Sequence, residues 1–117
     1  MEAQEILAQT EEITMELFEI DESDANVRYD GNAVVIHVQV PTTSKGYNYK
    51  AIVRVEAGKF APGFSTEETF ISFRPVGAGG NGYSTRIFTE TLTLELLELY
   101  LRHGHACLMQ SLEAYTP

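Results

Sequence analysis

Three side chains near the C-terminal end have the types that bind metals or attack carbonyls: His103, His105 and Cys107. On a helix, residues i and i+2 point about 200° apart, so His103 and His105 cannot share one ion. His103 and Cys107, at i and i+4, share a face, but a zinc site wants two further ligands. Cys107 is the single cysteine, and the remaining histidine, His37, belongs to a distant segment. A Cys-His nucleophile pair would also need an orienting group and an anion hole, and nothing nearby supplies either. The expectation is a small buried thiol, with no metal.

The stretch Gly77-Ala78-Gly79-Gly80-Asn81-Gly82 matches G-x-G-x-x-G literally. A dinucleotide site needs a helix directly afterwards, because the helix N-terminus holds the pyrophosphate. Here a strand pattern follows, and the Lys-Ser/Thr of a phosphate loop is missing. The stretch reads first as a hairpin connection and second as a ligand-clamping loop. Gly63-Phe64-Ser65-Thr66 lacks the second glycine of a nucleophile elbow. Asp21-Glu22-Ser23-Asp24 lacks the alternating ligands and central glycine of a calcium loop. No spacing sets up paired carboxylates for acid–base work. No catalytic residue and no cofactor is assigned, and an enzyme is not expected.

A distributed cluster is the stronger candidate. Lys50, Arg54 and Arg86 oppose the apolar positions of their strands, Arg74 ends another strand, and His37 accompanies them. They gather basic charge on one sheet surface, suited to carboxylates of a partner or phosphates of a small ligand. Gly79, Gly80 and Asn81 of the glycine-rich loop complete the candidate binding set with Tyr83. Tyr47, Tyr49, Phe60 and Phe64 join Tyr83 as candidate stacking walls.

The elements that must position these residues follow from periodicity. From Val34 to Val40 the even positions are apolar, and from Tyr47 to Ala57 the odd ones are. Alternation with period two marks two strands with one buried face, the hairpin on which the chain is organised. Residues 2–20 carry Ile6, Ile13 and Leu17 at helical spacing, with Leu7, Thr10, Thr14 and Phe18 beside them and glutamates on the other side. Val27–Tyr29 makes a short strand, turned back by Asp30-Gly31. Ser65-Thr66-Glu67-Glu68 suits one short helical turn. Thr69–Arg74 is a strand stopped by Pro75, and Tyr83–Thr91 is a fifth. Thr93–Tyr115 is a second helix, in which Gly104 either breaks the helix or admits a close neighbour. The expected fold is α+β. One domain spans 1–117, a mostly antiparallel five-stranded sheet with N- and C-terminal helices packed on one face, in the order α-β-β-β-β-β-α.

The net charge of −9 is unevenly placed. Residues 1–24 hold nine acids and no Lys or Arg, whereas residues 25–90 hold seven bases against five acids. The acidic first helix reads as a solvated face or as a docking surface for a basic partner. An acidic chain is a poor binder of nucleic acid polymers, which need Lys and Arg. No apolar run reaches the roughly 18 residues of a membrane span. The acidic start lacks a secretory pattern, and a lone cysteine suits a reducing cytoplasm.

In element order, size and a pI near 4.6 the chain resembles the small acidic chaperones of bacterial type III secretion. The resemblance implies a homodimer that holds protein segments without catalysis. Ala61–Glu68 is too brief for the dimer helix which that family carries there. An acidic helix and an open sheet edge offer docking surfaces, so a protein-binding module, chaperone-, immunity- or inhibitor-like and homo-oligomeric, is the first expectation. Sequestration of an anionic, nucleotide-like small molecule is the second.

Overall fold

The computed structural model describes residues 1–40, 49–60, 67–77 and 82–114. It is an α+β architecture. Helix α1 (Ala3–Leu17) leads through a 3-10 turn at Glu22–Asp24 into β1 (Asn26–Asp30) and β2 (Ala33–Val40). Then come β3 (Tyr49–Phe60), β4 (Glu67–Val76), β5 (Tyr83–Phe88), a 3-10 turn at Thr89–Thr91 and α2 (Leu94–Ala114). The five strands form an antiparallel meander in chain order, β1 to β5. Among the described residues no helix is long and apolar enough to cross a membrane.

Strand parity decides the layers. Val34, Ile36, Val53, Val55, Ile71 and Phe73 all face the two helices and are fully buried. From α2, Leu97, Leu101, Leu108 and Leu112 meet them at helical spacing. From α1 the contribution is Ile6, Leu7, Thr10, Thr14 and Met15, while Ile13 and Leu17 are only half-buried. The inward stripe is thus centred on Ile6, Leu7, Thr10, Thr14 and Phe18, with Ile13 and Leu17 at its margin and Met15 added.

Several expected boundaries are corrected. The β1–β2 register pairs Asp30 with Ala33, so the two-residue turn is Gly31-Asn32 rather than Asp30-Gly31. Gly31 has φ +61, the conformation that such a turn asks of its first central residue. Strand β4 is not stopped by Pro75 but runs to Val76. Among the described residues β5 pairs only as far as Phe73, so no described strand lies beside Pro75 on that side, a place that tolerates a missing N–H. Glu67 and Glu68 belong to β4, not to a helical turn, while Ser65 and Thr66 lie outside the described residues. Strand β5 ends at Phe88, and Thr89–Thr91 form a 3-10 turn fixed by a buried Thr69–Thr89 hydroxyl hydrogen bond of 3.0 Å. Helix α2 continues through Gly104 without a break. A Cβ there would meet the Phe73 ring at 2.5 Å, so the glycine exists for a close approach.

Candidate functional site

Both helices pack on one face of the sheet, and among the described residues no element covers the other. Cross-strand register places its residues. Arg28, Val35, Arg54, Ser72 and Ser84 form one row across all five strands. Two residues along, Asn26, His37, Ile52 and Arg74 form the next. Lys50 lies beyond, opposite Gln39 and Val76, and Arg86 lies at the other end beside Phe70. A shallow open depression of about 1000 Å³ is bordered by Arg28, His37, Arg54, Arg74, Ile52 and Phe70, with Val35 and Ser72 also contributing.

The face is both cationic and apolar. Val35 is only 6% exposed although it belongs to the open side. Its register neighbours are Arg28 and Arg54, whose aliphatic stems are long enough to cover it while their heads reach water. Arg54 Nη2 donates to Glu56 Oε2 at 3.0 Å, an ion pair between half-exposed partners that is worth little in stability but holds the guanidinium in place. The Arg86 guanidinium lies 5.4 Å from the centroid of the Phe70 ring, within cation–π range. Arg28 and Arg74 have no ion pair among the described residues. Opposite this face, the exposed glutamates of α1 (Glu5, Glu12, Glu16) make the helical side acidic. The molecule is polarised across its sheet.

Of the residues singled out in the sequence, Arg54, Arg74 and His37 come together at the depression. Lys50 and Arg86 share the face but flank it. Gly79, Gly80 and Asn81 lie outside the described residues; Gly77 and Gly82 on either side of them do border the depression. Tyr83 also borders it, yet its register partner is the buried Phe73 and its ring packs edge-to-face with His103 on the helical side. Tyr49, paired with Val40, is likewise buried among the core residues. Neither tyrosine is a stacking wall for the basic face, because odd-numbered positions on β3 and β5 point to the helices. Tyr47 and Phe64 lie outside the described residues. Arg28 was not singled out, although the tight β1–β2 turn sets it opposite Val35.

The C-terminal trio divides between two sides of α2, and Cys107 is half-buried rather than the fully buried thiol expected. Cys107 Sγ is 3.6 Å from His103 Nε2 on a solvent-facing flank of α2. His105 turns the other way and packs edge-to-face on Phe18, with ring centroids 4.7 Å apart. Burial pushes its pKa below the ordinary imidazole value. Among the described residues no group of three His, Cys, Asp or Glu side chains is placed to hold a metal ion.

No family model matches the chain, and comparison with curated proteins and with solved structures finds no match.

Proposed function

We propose that this chain is a non-catalytic protein-binding module whose open sheet face docks an acidic, partly apolar partner. The observation that carries the reading is the layer arrangement. Two helices cover one sheet face, and the other presents half-buried Ile52 among Arg28, Arg54 and Arg74, with half-buried Phe70 in the row beyond, beside Arg86. Apolar side chains ringed by arginines favour a protein surface, since arginine and aromatic residues are the side chains that dominate interface energetics. Chaperone-, immunity- and inhibitor-like roles all reduce to this act of docking. We place the module in the cytoplasm as a homo-oligomer. Direct pairing of two open faces would set cation against cation, so self-association is assigned to the sheet edges β1 and β5.

A second reading has its own observation in support. Arg54, Arg74 and His37 border one depression together with Gly77 and Gly82, an arrangement that also suits an anionic, nucleotide-like small molecule. Native mass spectrometry of gently purified protein separates the two. A complex with a second polypeptide supports docking. Extra mass of a few hundred daltons per site, lost on denaturation, overturns it in favour of the small ligand.

A further inference from the structure

We infer that the occupant of the open face is an acidic amphipathic helix of a partner protein. The inference rests on the docking reading above and adds the partner's shape and chemistry.

Spacing argues against a compact anion. Arg28 and Arg54 are in one row with a strand between them, so their backbones stand about 10 Å apart. Arg74 is one strand further and two residues along, which puts it about 16 Å from Arg28. Half-buried Ile52 lies between them, while Val35 is buried at the floor of the face. A single phosphate would meet both ends of such a span only with both side chains extended inward over Ile52, and Arg54 is already paired with Glu56. An occupant must be long, carry carboxylates at separated points and bring apolar side chains to the middle.

Backbone chemistry then chooses its conformation. Interior strands of a sheet spend their N–H and C=O groups on their neighbours, so the face offers an incoming chain side chains but no backbone partners. An extended segment laid there would shield its own backbone groups without replacing their hydrogen bonds, which is costly. A helix satisfies those groups internally. Eleven helical residues rise about 16 Å, enough to carry glutamates from Arg28 to Arg74 with leucine-type side chains over Ile52 between them. Charge complementarity is direct: acids on the flanks of the helix, arginines on the flanks of the groove. The same solution already operates on the opposite face, where acidic α1 buries its apolar stripe on the sheet.

The test uses the full chain and a synthetic helix of about 18 residues, long enough to exceed the arginine spacing, with leucines on one face and glutamates beside them. A scramble of the same composition and inorganic tripolyphosphate serve as comparison probes. Two-dimensional amide NMR is expected to show saturable shifts centred on Val35, Ile52 and Arg74. Binding should weaken at least about tenfold for the scramble and for R28E/R74E, whose unchanged thermal unfolding verifies the fold. Absence of shifts, shifts confined to α1 and α2, or equal binding by the scramble or by tripolyphosphate would overturn the inference. A cellular polypeptide lost from R28E/R74E while the synthetic helix fails to bind leaves the docking reading standing and removes only the helix. A cellular polypeptide indifferent to that variant removes both.

Discussion

Gly104 of α2 rests so closely on Phe73 of β4 that a Cβ there would stand 2.5 Å from both Cδ1 and Cε1 of the ring. Tyr83 Cδ1 would lie at 3.0 Å. Phe73 is fully buried and has nowhere to retreat. In an exposed helix, Gly→Ala gains up to about 1 kcal/mol. Here overpacking costs about 1–3 kcal/mol, and the steric term wins. G104A is expected to lower stability by about 1 kcal/mol, read from the midpoint of urea unfolding, and F73L in the same chain should recover part of what G104A loses. A stabilised G104A would contradict the contact.

The buried hydroxyls of Thr69 and Thr89 satisfy one another at 3.0 Å, joining β4 to the turn before α2. T69V alone strands the Thr89 hydroxyl and should cost about 1–3 kcal/mol. T69V/T89V removes both polar groups and should cost less than T69V does. Additive losses in the double-mutant cycle would show that the two hydroxyls do not depend on each other.

Helix α1 closes with Glu19 at φ +55, Ile20 N–H donating to the Met15 carbonyl and Glu19 N–H to that of Glu16. This is the Schellman arrangement, in which glycine is the favoured left-handed residue. Glu19 also places a negative charge at the negative end of the helix. E19G is therefore expected to raise stability by about 0.5–1 kcal/mol, seen as a higher thermal midpoint. A lower midpoint would mean that Glu19 makes a contact outweighing its strain.

Burial against Phe18 holds His105 below the ordinary imidazole value of 6.5. The unfolded chain therefore takes up the proton first. The stability held by neutral His105 is complete above about pH 6.5 and is lost as pH falls from there through the folded value. H105Q should show a flatter stability profile than the parent between roughly pH 7.5 and 5.5. Identical slopes in urea titrations would assign the acid sensitivity to other groups.

Much of this architecture is legible in the residues, because period-two alternation on β2, β3 and β5 assigns each side chain to a face. The same parity carries His37, Arg54 and Arg74 to the open side. Arg28 was equally accessible: the tight turn at Gly31-Asn32 fixes the β1 register and hence its row. Three features were not. Val35 is buried although its parity puts it on the open side, opposite Arg28 and Arg54. Pro75 continues a strand on a side where no described strand lies beside it, a fact of tertiary arrangement. Gly104 carries no local sign that a ring from another strand fills its missing side chain.

In the proposed docking, the open sheet face and not the acidic helix receives the partner. The most direct measurement compares two charge reversals by quantitative co-purification: R28E/R74E on the open face and E12K/E16K on α1. All four positions are exposed, so each variant should keep its stability to within about 0.5 kcal/mol. The account predicts that R28E/R74E loses the stoichiometric partner while E12K/E16K retains it. Retention by the first and loss by the second would contradict it.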